Sequence, residues 1–124
     1  MIPSDHILLG RKGEKIDRLY LLNKGDTILE KNLFLGKLEV DVVVEEDNEI
    51  VFVEVKTRKN TDFGNPEDYV DSKKEDNLVK ASDAYMNMHE LDLPYRIDII
   101  SILLDQETFQ IKHFENAGEW FGLN

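Results

Sequence analysis

The middle of the chain alternates between apolar and polar residues and predicts a β-hairpin. In KLEVDVVVEEDNEIVFVEVKT, residues 37–57, valine, isoleucine and phenylalanine dominate both sides of Asp47 and Asn48. Such β-branched and aromatic runs are typical of strands, and largely of buried ones. Asp and Asn suit a tight turn. The segment therefore predicts two antiparallel strands joined at Asp47 and Asn48.

The remaining segments predict two helices and three more strands. Residues 10–25 carry apolar residues at helical spacing, and Gly25 suits a helix C-terminus. Residues 65–91 predict a long helix with Asn65 as N-cap and Pro66 at its first position. Residues 26–35, 94–104 and 109–117 predict strands. The resulting order, αβββαββ, indicates an α/β or α+β domain.

The hairpin turn also predicts a register, because it pairs residues whose numbers add to 95. One face of the hairpin then becomes almost entirely apolar, which is what specifies a register. On the other face, Asp41 lies directly opposite Glu54 and Glu39 lies opposite Lys56. The pairs predicted on the largely apolar face are Glu46–Glu49, Val44–Val51, Val42–Val53, Val40–Val55 and Leu38–Thr57.

Two carboxylates at opposed strand positions repel each other and destabilise the sheet, and this repulsion can be relieved in two ways. Either one carboxylate is protonated or a cation lies between them. Mg²⁺ is the first candidate, because it binds through one or two carboxylates and keeps several waters. Lys56 would then lie one strand position away, where an ammonium can orient a water. The alternative is an exposed face on which Lys56 pairs with Glu39 while Asp41 faces water.

Composition narrows the class of protein. A chain of 124 residues predicts a single domain, residues 1–124, and the absence of cysteine excludes disulfides and thiolate zinc sites. No apolar run is long enough for a signal peptide or a membrane span. We therefore expect a cytoplasmic protein without a membrane partner.

Charge argues against broad nucleic-acid binding but leaves room for a local basic stripe. The 15 Lys and Arg face 26 Asp and Glu, for a net charge of −11. Phosphate neutralisation needs positive surface. The basic residues are unevenly spread, however, and those expected to contact nucleic acid are Arg11, Lys12, Arg58, Lys59 and Lys74.

An Asp on one strand followed by Glu-x-Lys on the next resembles the restriction-endonuclease-like superfamily, the PD-(D/E)XK nucleases. The motifs GRKGE, LEVD, VFVEVKTR, FGNPEDYVDSKK, YRIDII and HFENA occur in that order. Together they resemble the bacterial YraN-like family, a functionally uncharacterised group with this fold. The resemblance covers roughly residues 10–117. Leu38 replaces the glycine of the family's G-E-I-D pattern, and after Lys74 the acidic EDN replaces a basic run.

The resemblance implies a restriction-endonuclease-like domain with a mixed sheet flanked by helices, and phosphodiester hydrolysis dependent on Mg²⁺ or Mn²⁺. Asp41 and Glu54 would be metal ligands, helped by the carbonyl of Val55. Lys56 would position the attacking water. Glu14 would complete the site, as in the archaeal Holliday-junction resolvases of similar layout. The implied partner is DNA that is branched or otherwise structured, and the resolvase likeness suggests a homodimer.

Three hypotheses remain open at this point. The first is the nuclease, and the second is a nucleic-acid-binding or adaptor protein that keeps the fold with little catalysis. The third is an acidic interaction module without a nucleic-acid partner. Glu14 also has a structural interpretation, because a carboxylate near a helix N-terminus is favoured by the dipole. Arg96 and Asp98 are interpreted as a structural ion pair, and His113 as a partly buried strand residue.

Overall fold

The computed structural model describes residues 5–60, 72–105 and 108–117. Within these ranges the order of elements is the predicted αβββαββ. The two helices are α1 (Asp5–Asn23) and α2 (Ser72–Met88). The strands are β1 (Thr27–Leu35), β2 (Leu38–Glu46), β3 (Glu49–Arg58), β4 (Tyr95–Asp105) and β5 (Thr108–Phe114). Neither described helix combines the length and apolar content needed to cross a bilayer.

The helix ends follow from residues in the left-handed region of backbone conformation. Gly25 has a φ of 95°, and the amide of the following Asp26 donates to the carbonyl of Leu21, so the predicted stop of α1 is confirmed. Glu90, with a φ of 52°, closes α2 in the same way, and the helix ends three residues before the predicted end at Leu91. The predicted N-terminus of α1 is wrong, since the helix begins at Asp5 and not at residue 10.

The predicted N-cap of the second helix, Asn65, and Pro66 after it lie outside the described residues.

The strands form one mixed sheet in the order β1-β2-β3-β4-β5. Strands β3 and β4 are parallel, and the other neighbours are antiparallel. The two helices cover opposite faces: α2 contributes Leu78 to one apolar cluster with Phe52, and α1 contributes Leu21 to another with Val53. Because Phe52 and Val53 are neighbours on β3, their side chains leave opposite faces of the sheet. The prediction of a mixed sheet flanked by helices is confirmed.

The hairpin register is confirmed near the turn and wrong beyond it. Asp47 and Asn48 have φ of 50° and 64°, as a tight hairpin turn requires, and Val42 pairs with Val53 as predicted. The β2–β3 pairs end there. Val40 belongs to the α2-side cluster while Val42 belongs to the α1-side cluster, so the alternation of β2 is interrupted at Asp41. The pairs predicted closer to the strand ends, Asp41–Glu54, Val40–Val55, Glu39–Lys56 and Leu38–Thr57, are absent from the β2–β3 register.

Candidate active site

A cavity of about 160 Å³ lies between α1 and the end of β3, next to Asp41, where the alternation of β2 is interrupted. The cavity collects residues that the sequence predicted as a site from three separate segments: Glu14 from α1, Asp41 from β2, and Val55 with Lys56 from β3. The complete lining is Leu9, Gly10, Glu14, Asp41, Val55, Lys56, Thr57 and Arg58. Residues far apart in the chain are thus brought around one space large enough for several waters.

Helix α1 reaches the sheet this closely because of Gly13. A Cβ at this position would overlap the Thr57 hydroxyl and come within 2.9 Å of Thr57 Cβ. Only a residue without a side chain permits that approach. Since Glu14 follows directly, the close contact of Gly13 with β3 sets the distance at which the Glu14 carboxylate lines the cavity. Gly10, one turn earlier, has no atom within 4 Å of its virtual Cβ and has no such role.

Asp41 is bound to the neighbouring strand through its side chain. The Val55 amide donates to Asp41 Oδ2 at 2.8 Å. The Val55 amide therefore donates to a side-chain oxygen of β2 and not to a backbone carbonyl of that strand. This explains why the β2–β3 ladder ends at the preceding pair, Val42–Val53. Burial, followed by the charge of Glu54, raises the pKa of Asp41 from 3.8 to about 7. The two carboxylates therefore do interact, although they are not paired in the ladder.

Glu54 is the more deeply buried carboxylate, with 3% of its side chain exposed. It contacts two ammonium groups: Lys74 Nζ lies 3.1 Å and Lys56 Nζ 3.6 Å from Glu54 Oε1. Lys56 reaches it from the same strand and Lys74 from α2. The structure thus places Lys74, expected at a phosphate, against a carboxylate of the candidate site.

The alternative of a merely decorated, exposed strand face does not fit this arrangement. Among the described residues, the ion pair of Lys56 is with Glu54 and not with Glu39. Asp41 is partly buried and accepts a backbone hydrogen bond instead of facing water alone. Burial, followed by the Asp41 charge, raises the pKa of Glu39 as well, so negative charge is concentrated at this end of β2.

Asp17 is a site-adjacent residue that the sequence reasoning missed. Its side chain is fully buried, and neither carboxylate oxygen has a hydrogen-bond partner among the described residues. Burial, followed by the charge of Asp41, raises its pKa to about 7, while His113 lowers it. The available signal was helical spacing, because Asp17 follows Gly13 by four residues and so shares the face of α1 that touches β3.

The ion pair predicted for Arg96 and Asp98 is confirmed. Arg96 Nε donates to Asp98 Oδ1 at 3.0 Å, and His113 Nε2 lies 2.7 Å from Asp98 Oδ2. His113 Nδ1 is 2.9 Å from the Tyr20 hydroxyl, so a polar network joins β4, β5 and α1. Although burial of Asp98 works against ionisation, the hydrogen bonds from His113 and Arg96 hold its pKa below the usual value. The network is structural, and His113 is partly buried as predicted.

The basic residues expected to contact nucleic acid do not all share one environment. Arg11, Lys12 and Lys59 are exposed. Arg58 is partly buried, lines the cavity and donates from Nη1 to the Thr57 carbonyl at 2.9 Å. Arg11 and Lys12 lie on α1 and Lys59 directly follows β3, whereas Arg58 lines the cavity itself.

The donor set fits a hard divalent cation that keeps most of its waters. In the described part of the chain no three His, Asp or Glu side chains are arranged to enclose a metal ion. Asp41, Glu14 and Val55 nevertheless line the cavity, and the charge of Glu54, which is not among the lining residues, acts on Asp41, so the oxygen donors are of the kind that Mg²⁺ prefers. This ion usually binds proteins through one or two carboxylates and retains water in its other positions.

Comparison with known proteins finds relatives that match nearly the whole chain. The sequence model of the uncharacterised protein family UPF0102 matches residues 13–102. A UPF0102 protein from Phocaeicola vulgatus is 44% identical over 114 residues, covering 92% of this chain and 94% of the relative. UPF0102 protein FP2501 from Flavobacterium psychrophilum is 42% identical over 114 residues, covering 92% and 96%. A UPF0102 protein from Christiangramia forsetii is 40% identical over 118 residues, covering 95% and 99%.

Proposed function

The chain belongs to the uncharacterised protein family UPF0102, the YraN-like family that its motifs resemble, and from its site we propose that it is a metal-dependent endonuclease acting on structured or branched DNA. One observation carries the proposal: the Glu54 charge acts on the Asp41 carboxyl, and Asp41 and Lys56 both line a cavity large enough for several waters. A buried carboxyl whose pKa is raised by burial and by the charge of a second carboxylate is costly to a fold, and such groups cluster at functional sites. A cation between the two carboxylates offsets that cost and supplies chemistry.

Asp41 and Glu54 would hold Mg²⁺ or Mn²⁺, with the Val55 carbonyl as a further oxygen ligand. When bound, such an ion polarises the scissile phosphate and neutralises the charge that develops on it during hydrolysis. The Val55 amide supports this role, because its hydrogen bond to Asp41 Oδ2 orients that carboxylate. The opposite edge of the carboxylate remains for the ion.

We assign to Lys56 the role of positioning the attacking water. Lys56 lines the cavity, and its ammonium lies 3.6 Å from Glu54 Oε1. An ammonium donates hydrogen bonds and accepts none, so it orients the water and stabilises negative charge on the phosphate oxygens. Glu14 lines the same cavity and would accept a hydrogen bond from that water or from a water on the ion.

DNA would approach over the exposed basic residues beside the cavity. Arg11, Lys12 and Lys59 are exposed on α1 and after β3, while Arg58 lies at the cavity. A protein of net charge −11 binds phosphates only where such a stripe is local, so binding is expected to be weak and strongly salt-dependent. For such a substrate we also propose a homodimer, since symmetric enzymes suit two-fold branched DNA. We propose a cytoplasmic location as well.

A second candidate is a nucleic-acid-binding or protein-interaction module that keeps the fold without catalysis. The acidic balance of the chain favours it. So does the exposed Asp76 on α2, whose negative charge reduces the positive charge of that helix, whereas Glu75 beside it is fully buried. This candidate predicts salt-sensitive DNA binding or partner binding that metal does not alter.

The test is a cleavage assay on a panel of single-stranded, flapped and four-way branched DNAs with Mg²⁺ or Mn²⁺. Wild type is expected to nick at least one member, and Lys56→Ala to cut none. Lys73→Ala is the matched control, since Lys73 is exposed on α2 and lies outside the cavity. Cleavage that persists in Lys56→Ala would identify a contaminating enzyme, and metal-independent DNA binding without cleavage would favour the second candidate.

A further inference from the structure

The ion pair between α2 and β3 has no place in the reaction described above. Lys74 Nζ lies 3.1 Å from Glu54 Oε1, closer than the 3.6 Å of Lys56 to the same oxygen. Glu54 is 3% exposed, so this carboxylate has little water around it and depends on nearby cations for compensation. A divalent ion that approached Glu54 would therefore find its negative charge already neutralised by the Lys74 ammonium of α2.

We propose that Lys74 and the divalent cation are alternative partners of Glu54, so that metal binding displaces Lys74 from the site. The inference rests on the proposed function, because it requires Glu54 to be a metal ligand. It goes further by assigning Lys74 as an internal competitor that sets the affinity for metal.

Electrostatics makes the two partners incompatible. A cation coordinated by Glu54 would carry two positive charges within a few ångströms of the Lys74 ammonium, where the buried surroundings screen charges poorly. Lys56 also contacts Glu54, but it belongs to the same strand and lies farther from the shared oxygen. Glu54 is held in the central part of the sheet, where β3 pairs with β4. The lysine of α2 is therefore the group that moves.

The side chain of Lys74 is suited to move. It is 38% exposed, so its ammonium has solvent within reach, and its four-carbon stem is flexible. Once released, the ammonium would lie beside the cavity where a phosphate of the substrate is expected. The sequence-based expectation of a phosphate contact and the observed ion pair would then describe two positions of one side chain. Binding of metal and of DNA would strengthen each other reciprocally.

Mn²⁺ titration calorimetry on Lys74→Met and Lys73→Met tests the competition. Lys74→Met keeps most of the aliphatic stem and removes the competing charge, so we expect its dissociation constant for Mn²⁺ to fall by roughly tenfold or more. Lys73→Met removes the same charge from the neighbouring, exposed position. It should change the constant by no more than about twofold, because exposed charges are screened.

An Mn²⁺ affinity in Lys74→Met that equals or falls below that of wild type would overturn the inference and leave the proposed function standing. If neither wild type nor the variants bind Mn²⁺, the proposed function and the inference fail together.

Amine labelling of wild type tests the displacement without any substitution. The protein is treated with a limiting acetylating reagent, with and without saturating Mn²⁺, and acetylation of each lysine is measured by peptide mass spectrometry. Lys74 should be acetylated severalfold faster with Mn²⁺, because the ion pair with Glu54 no longer shields its ammonium, while the rate at Lys73 stays constant. Calorimetric Mn²⁺ binding with an unchanged or slower rate at Lys74 would show that both cations share Glu54, which would overturn the inference.

Discussion

Replacing Asp41 by asparagine separates a metal site from a strand that merely carries acidic residues. Asparagine has nearly the same shape, and its side-chain oxygen can still accept the hydrogen bond from the Val55 amide. The change removes one of two interacting negative charges. Without metal, Asp41→Asn should therefore be as stable as wild type or more stable, whereas with metal it should lose most of the stabilisation that wild type gains.

The size of the metal-free effect follows from the pKa of Asp41, which burial and the Glu54 charge raise from 3.8 to about 7. A carboxyl with a raised pKa favours the folded state fully below its unfolded value and loses that contribution as pH rises through the folded one. Each pKa unit corresponds to about 1.4 kcal/mol. Because Asp41 and Glu54 are coupled, only part of the free energy that corresponds to this pKa shift belongs to Asp41 alone. We therefore expect Asp41→Asn to be more stable than wild type by roughly 1–3 kcal/mol at pH 8. Near pH 4 the difference should approach zero.

The metal effect follows from mass action. An ion that binds only the folded state stabilises it by about 2.7 kcal/mol at 100 times its dissociation constant. For a chain of this size that raises the melting temperature by roughly 10 °C. Wild type should show this rise and Asp41→Asn only a small part of it.

Thermal unfolding of both proteins at pH 4 and pH 8 without metal, and at pH 8 with Mg²⁺ or Mn²⁺, measures all of these quantities. Asp47→Asn is the matched control: it removes the same charge from the exposed hairpin turn, where asparagine readily adopts the φ of 50°. It should respond to metal as wild type does. An equal metal response in wild type and Asp41→Asn would show that Asp41 is no ligand and would refute the reasoning.

Three further changes test other parts of the site. Lys56→Ala should abolish cleavage while the metal-induced rise in melting temperature is kept, because lysine acts on water; loss of that rise would contradict its assignment. Arg58→Ala with Lys59→Ala should lower the log–log salt slope of DNA binding by roughly one unit for each phosphate that is no longer neutralised, and an unchanged slope would place the DNA elsewhere. Gly13→Ala should lower the free energy of unfolding by about 1–3 kcal/mol, because the new Cβ overlaps Thr57 of β3. Gly10→Ala has open space around its Cβ and should raise the free energy of unfolding by up to about 1 kcal/mol. Equal effects of the two substitutions would show that α1 is not held by close packing at Gly13.

The part of the fold that sequence predicts well is the part governed by local chemistry. The period-two pattern and the Asp47–Asn48 turn predict the hairpin, and Gly25 predicts the end of α1. The predicted register fails beyond Val42 because the Asp41 side chain takes the Val55 amide. Arithmetic on residue numbers assumes a continuous ladder and cannot anticipate a side chain that binds the neighbouring backbone.

The residues of the candidate site also fall into two groups: those whose proximity the local sequence predicts and those that tertiary packing brings in. Asp41, Glu54 and Lys56 lie on adjacent strands of one hairpin, so their proximity could be predicted from the sequence. The burial of Asp17 and the contact of Lys74 with Glu54 depend on how α1 and α2 dock on the sheet. Helical spacing places Asp17 on the same face of α1 as Gly13, but that this face packs closely against β3 is decided by tertiary packing and is not visible in the sequence.

The central claim is that Asp41 and Glu54 together hold a divalent cation, and anomalous diffraction from a crystal soaked in Mn²⁺ tests it most directly. The account predicts one strong anomalous peak that contacts both carboxylates at the cavity, with the Lys74 ammonium no longer at Glu54. Absence of a peak at saturating Mn²⁺, or a peak bound only by other residues, would contradict it.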